Sequence, residues 1–419
     1  MYRYRNHFQA GLFILASLLL AACGGGSKSS GSSPASSGSG AGTLSPPPST
    51  TGNSIPIVVD AGPLTGVVAI NTPFVSVTVC TPGTSATTAA CQTIDHVVLD
   101  TGSSGLRLLK SVLNSNLNLP AVTNANGQAM GECLPFAVGT TWGSVRLADI
   151  YLGGEVARSM SIQAIGDTPG GVTAIPTDCS NTGTITDDLA SVGANGILGI
   201  GLFVNDCDRC LTTTIPATYY ACTANSCVNS TVTQGQMIQN PVAHFSLDNN
   251  GTLIELSSIP LAGTSATVTG TLIFGIGTQA NNALNGVTAY PTDVHGNFIT
   301  TFNNAVMPAS FIDSGSNALY FYDTSIATCP SIAWAYCPAV DPTSLSATNS
   351  GATGTPSATV NFSIVNVQNL ANSVVAVTFG GTNSISQFDW GLPFFFGRPV
   401  FTAISGATTP YGPGPYWAY

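Results

Sequence analysis

The sequence predicts an all-β protein made of two related halves, and three observations predict it. Apolar runs are short, rich in Val, Ile, Phe and Thr, and cut by Gly, Asn and Pro, which is how strands rather than helices read; 46 glycines and 26 prolines in 419 residues supply the breaks. A tripeptide of aspartate, hydroxyl residue and glycine occurs twice, as Asp100-Thr101-Gly102 and Asp313-Ser314-Gly315. Each copy is followed downstream by an apolar segment carrying glycine, Gly196-Ile197-Leu198-Gly199 in the first half and Trp390-Gly391-Leu392-Pro393 in the second.

Each tripeptide closes an apolar run, Val97-Val98-Leu99 before the first and Phe311-Ile312 before the second. Glycine tolerates backbone angles that other residues avoid, so the strand turns sharply there and presents its carboxylate at a loop tip. Taken singly, either tripeptide also reads as a plain β-turn. Two copies in matching settings predict that the carboxylates meet. Further strands are predicted at 57–59, 66–79, 145–152, 272–275, 358–365 and 374–379.

The start of the chain predicts its compartment. Arg3, Arg5 and His7 precede an apolar stretch over 8–22 that ends in Leu20-Ala21-Ala22-Cys23. This reads as a secretory signal, residues 1–22, whose end resembles a bacterial lipobox. On that resemblance Cys23 is the lipidated residue, and Gly24 after it points to the outer membrane of the bacterial cell envelope. An ordinary signal peptide is the plainer alternative; the stretch is shorter than the roughly 20 residues a spanning helix needs. Residues 23–54 are almost all Gly, Ser, Pro, Ala and Thr, with Lys28 the one charge. Such a composition buries too little apolar surface to order itself and predicts a flexible tether.

The remainder is long enough for two cores, a first lobe over 55–250 and a second over 251–419, each with one Asp motif. Nine basic residues stand against 19 acidic ones, for a formal charge of −10. Removing Arg3 and Arg5 makes the body more acidic still, which argues against nucleic acid as a partner. A monomer is expected. Of eleven cysteines, ten remain once Cys23 is set aside, and in an oxidising compartment disulfides are the default. Cys80 with Cys91 and Cys329 with Cys337 are candidate local bridges, and Cys133 is within reach of Cys179. Cys207, Cys210, Cys222 and Cys227 form a cluster whose pairing stays open, with a four-thiolate zinc site as the alternative.

On these residues the chain resembles the pepsin family of aspartic endopeptidases, as a bacterial lipoprotein branch. Val97-Val98-Leu99-Asp100-Thr101-Gly102-Ser103-Ser104 is similar to that family's first active-site motif, and Asp313-Ser314-Gly315-Ser316 to its second. Gly196-Ile197-Leu198-Gly199 and the segment 391–402 resemble the strands that thread the two Asp loops. Asn240-Pro241-Val242 and Leu272-Ile273-Phe274-Gly275 are similar to the crossover and to the opening of the second lobe. The matches fall in family order over about 55–405. The resemblance implies a bilobal fold with a cleft, a peptide or protein substrate, no cofactor and no metal.

It also implies a chemistry. Two adjacent carboxyls cannot both ionise, so one keeps a proton. The ionised member takes a proton from a water, and the neutral one donates to the scissile carbonyl oxygen. Asp100 and Asp313 would be that pair. Thr101 and Ser314 would brace the loops across the lobe interface, Ser103 and Ser316 would orient the carboxylates, and Gly102 and Gly315 would permit the turns.

The chain departs from the family pattern in places. Arg107 stands where the family usually has Trp. The region 136–149, which resembles the hairpin over the cleft, lacks the usual Tyr. Trp142 is the nearest aromatic, either covering the substrate or packing on the lobe. Asp389-Trp390 replaces two apolar residues before Gly391. Phe394-Phe395-Phe396 reads as core. Tyr411 to Trp417 reads as a partner-binding tail or as an end packed on the second lobe. His96, His244 and His295 form no His-Glu-x-x-His pattern, and no nucleophile elbow or Walker loop is present. Two readings follow: a membrane-anchored aspartic endopeptidase, and a catalytically weak or inactive pepsin-like protein that binds a peptide, glycan or partner at the envelope.

Overall fold

Strands account for most of the regular secondary structure in the computed structural model, which describes residues 52–84 and 90–419. The predicted signal peptide, Cys23 and nearly all of the predicted tether lie outside the described residues. Ser54, assigned to the tether by composition, begins the first strand, Ser54–Val59.

The strand Cys91–Asp100 has Val97, Val98 and Leu99 all buried, so both of its faces are covered. It lies between Pro73–Cys80 on one side and Gly196–Ile200 on the other. Gly196–Ile200 runs parallel to it, with Gly199 opposite Asp100, and antiparallel to Ser104–Leu109, with Gly199 opposite Gly105. This short strand is therefore threaded between the chain entering the Asp turn and the chain leaving it. The second half repeats the arrangement. Asp389–Trp390 runs parallel to Ala305–Ile312 and antiparallel to Leu319–Phe321. Trp390 lies opposite Ile312 as Leu198 lies opposite Leu99. Asp389 thus occupies the station that Ile197 holds in the first half.

The result is an all-β, bilobal architecture in which both halves repeat one threaded arrangement, with one Asp turn in each lobe. Strands from both halves also share one sheet. Ser54–Val59 pairs along its whole length with Val268–Phe274, from Ser54↔Ile273 to Val59↔Val268. Gly251–Leu256, Pro399–Ala403, Tyr416–Ala418 and Ala289–Pro291 extend the same sheet. Both ends of the described chain meet in this shared sheet, and burial of Val59, Leu272, Phe274 and Val400 holds it together. Of the two alternatives for the C-terminal segment, the packed one is observed: Tyr416, Trp417 and Ala418 are buried. Phe394 and Phe395 are core residues too.

Among the described residues five disulfides form: Cys80–Cys91, Cys133–Cys179, Cys207–Cys210, Cys222–Cys227 and Cys329–Cys337. The open cluster is thereby divided into two local bridges, which leaves it no thiolate for zinc.

Two predicted strands differ from what is observed. The strand expected over 66–79 starts only at Pro73, because Gly66 and Asn71 take positive φ and turn the chain. The segment 374–379 is buried but belongs to no ladder; only Ala376 makes an isolated bridge, to Thr264. The side chain of Asn71 takes the neighbouring strand's place. Its amide donates to Val377 O at 2.7 Å and to Asn317 O at 2.7 Å, and its Oδ1 accepts from Val377 N at 2.9 Å. A loop of the first lobe thereby satisfies backbone of the second lobe next to its Asp turn. Asn71 is fully buried, so Asn71→Ala strands these groups without water. A loss of about 2–4 kcal/mol in unfolding free energy, measured by urea denaturation, is the expected outcome.

Candidate active site

The two Asp turns meet at the lobe interface and are bonded reciprocally. Thr101 N donates to Ser314 Oγ at 3.1 Å, and Ser314 N donates to Thr101 Oγ1 at 2.9 Å. Each hydroxyl then donates to the strand that enters the opposite turn, Ser314 Oγ to Leu99 O at 2.7 Å and Thr101 Oγ1 to Ile312 O at 3.3 Å. A threonine and a serine serve alike because only the hydroxyl is used. The backbones approach so closely that each turn must carry glycine. A Cβ on Gly102 would stand 2.8 Å from Asp313 Cγ, and one on Gly315 2.9 Å from Asp100 Oδ1.

Within each turn the carboxylate is held the same way. Asp100 accepts from Gly102 N at 2.7 Å and from Ser103 Oγ at 2.5 Å. Asp313 accepts from Gly315 N at 2.8 Å and contacts Ser316 Oγ at 2.9 Å. The two environments differ in solvent: Asp100 is 7% exposed and Asp313 1%. Burial, then the neighbouring carboxylates of Asp100 and Asp389 and a hydrogen bond shared with Asp100, hold the Asp313 carboxyl well above the ordinary carboxylate range; the N–H of Gly315 pulls the other way. The arrangement favours one shared proton between Asp100 and Asp313.

A cleft opens over these carboxyls. Its floor is Asp100 to Ser104 with Ile312 and Asp313, and its walls include Phe136, Ala137, Leu202, Phe203, His295, Gln387 and Trp417. Sequence reasoning missed most of the walls, since they come from five separate stretches of chain. Of the two readings left open for Trp142, covering the substrate or packing on the lobe, packing is the one observed. Trp142 is 3% exposed, pairs with Cys133 in the middle of the hairpin, and packs edge-on against Tyr220 at 5.1 Å. The hairpin is formed by Ala129–Phe136 and Gly139–Leu152 and turns at Ala137-Val138. Its tip therefore brings Phe136 and Ala137 to the cleft. Counting back from Gly139 as the turn residue finds that tip in the sequence; choosing the nearest large aromatic does not.

A family model described as "Protein of unknown function (DUF3443)" matches residues 49–419. The chain belongs to that family. The match spans both Asp turns and every described strand, so the DUF3443 region includes the whole bilobal body. A search of curated proteins finds no match to the chain. Among solved structures it is similar to an aspartic proteinase from Irpex lacteus, at 16% identity and a TM-score of 0.48, covering 87% of this chain and 96% of that one.

Beneath the hairpin of this DUF3443 chain lies a buried ionic cluster. Arg107 is wholly buried and pairs with Glu132 at 2.6 Å and Asp206 at 2.9 Å. Its third donor group, Nη1, reaches Ser104 O at 2.8 Å, and Tyr219 OH lies 2.7 Å from Asp206 Oδ2. Burial alone would lower the Arg107 pKa, but Glu132 and Asp206 outweigh it and raise it. Burial, with Glu132 beside it, pushes Asp206 well up, against the pull of Arg107. One cation thus offsets one of two carboxylates, and the other is driven toward its neutral form. Arg107→Met leaves two acids buried without their cation, and a loss of about 3–5 kcal/mol is expected in chemical denaturation. Adding Glu132→Gln and Asp206→Asn to that variant is expected to restore part of the loss.

Proposed function

We propose that this chain is an aspartic-type endopeptidase of pepsin-like kind, hydrolysing peptide bonds with a water activated between Asp100 and Asp313. The observation that carries this reading is the reciprocal bonding of the two Asp turns, which points both carboxyls at one spot on the floor of a cleft. The ionised member of the pair takes a proton from the water as it attacks the carbonyl carbon. The neutral member donates to the carbonyl oxygen, and the resulting diol collapses with proton transfer to the leaving amine. Ser103 and Ser316 keep the carboxylate planes aligned. The dyad works with one proton, and burial keeps that proton on as pH rises above the usual carboxylate range. Cleavage is therefore best in acid and fades as the pair loses its proton.

Asp100→Asn and Asp313→Asn are each expected to lower kcat/KM on an unfolded protein substrate by roughly 10²–10⁴-fold, the range general acid–base groups contribute. Cleavage that persists in both variants overturns the mechanism. The absence of a hydroxyl at the hairpin tip, where Phe136 and Ala137 face the cleft, favours a second reading, a binding protein of the same fold. Its signature is tight binding of a statine-type mimic with no hydrolysis from about pH 3 to 7, where carboxylate dyads titrate.

The proposed setting is the bacterial outer membrane, with the body held by a lipid on Cys23 through the tether that follows. Cys23→Ser is expected to abolish incorporation of labelled fatty acid and to move the protein from the membrane fraction to the soluble fraction.

A further inference from the structure

We infer that Asp389 is a third acid of the site, a protonated positioning residue that donates to Ser316 Oγ and thereby aims the Ser316 hydroxyl at Asp313. The inference rests on the peptidase reading only for its kinetic consequence; the proton assignment stands on geometry. Ser316 Oγ lies 2.9 Å from Asp313 Oδ2 and 2.6 Å from Asp389 Oδ2. A hydroxyl has one hydrogen. It serves one of these contacts, so the other needs a carboxyl proton.

The surroundings say which acid supplies it. Asp313 accepts from Gly315 N as well as facing Ser316, and donors to a carboxylate favour its charge. Asp389 is fully buried, and its Oδ1 has no hydrogen-bond partner. The titratable groups around it are Asp100 and Asp313 on the two turns and Tyr320 on Leu319–Phe321, and no ion pair to it occurs among the described residues. Burial and the charge of Asp100 push its carboxyl well up, against the hydrogen bond from Ser316. A charge is thus least tolerable on Asp389 and most tolerable on the Asp100–Asp313 pair. The three acids hold two protons and one negative charge.

The first half shows that the fold does not require this acid. Ile197 stands at the matching station, opposite Val98 as Asp389 stands opposite Phe311, and Ser103 reaches Asp100 without a carboxyl behind it. The donor at Asp389 polarises the Ser316 hydroxyl and strengthens its bond to Asp313. That favours the ionised dyad in acid, so the limb of the pH–rate profile at which the dyad first ionises lies lower than without it.

The experiment compares the wild type with Asp389→Asn, which keeps an N–H donor, and Asp389→Ile, the residue of the other half. Isotope-edited infrared spectra of protein labelled with ¹³C-aspartate count protonated carboxyls at pH 7. The expected result is one fewer in each variant than in the wild type. An unchanged count, or a band from Asp389 that titrates near pH 4 with ordinary carboxylates, overturns the assignment whether or not the protein cleaves anything. In the pH–rate profile the Ile variant is expected to raise the acid limb by roughly 0.5–1 unit, and the Asn variant to restore it. Equal shifts in both variants overturn the positioning role. Loss of cleavage in the wild type itself would strike the peptidase reading and leave the infrared result to decide the proton.

Discussion

Everything at the site depends on the lobes being bolted together through the two Asp turns. Two unit charges about 4 Å apart repel by ~4 kcal/mol at an effective dielectric of 20. The four bonds that cross between the turns, at about 1 kcal/mol each, are of the same size. They hold the acids in place only if the pair also keeps a proton. Geometry and protonation are therefore one constraint, and both follow from hydroxyl residues at Thr101 and Ser314 with glycine after each. Larger residues at 102 or 315 would drive into the opposite carboxylate, so the close approach is available to this tripeptide and few others.

The same logic of buried polar groups runs outward from the turns. Asn71 reaches from the first lobe to finish the backbone hydrogen bonding of a second-lobe segment beside Asn317. Arg107 joins Glu132 of the hairpin to Asp206. Such groups contribute little net stability when paired and cost several kcal/mol when broken. They act as fasteners with a defined geometry in a protein whose surface has few charges to spare. The shared sheet does the equivalent work with apolar side chains, joining Ser54–Val59 to Val268–Phe274 and the C-terminal strands.

Asp389 and Arg107 mark the places where the chain departs from apolar packing near its cleft. Arg107 and its two acids sit together in the first lobe, under the hairpin, while Asp389 sits in the second beside the other acids of the site. A guanidinium resolves the first set by charge pairing. Among the described residues no cation pairs with Asp389, and proton retention is the remaining way to lodge a carboxyl there. Each departure thus has its own electrostatic solution, chosen by what stands opposite.

Much of the fold was legible in the residues. The paired turns, the β character and the local cysteine pairs rest on short-range chemistry, because a strand ending in Asp-hydroxyl-Gly and two cysteines a few residues apart carry their reasons within a few positions. The acid in the strand before Gly391 was visible as an oddity, without a partner to explain it. What only the tertiary structure decided were the contacts between distant stretches: Ser316 against Asp389, Asn71 against Val377, the five stretches that wall the cleft, and the burial of Trp142 away from it. Those depend on which side chains the closed lobes bring within 3 Å of one another. Periodicity sets the face on which a residue lies; the identity of the atom it meets across the interface is settled by packing.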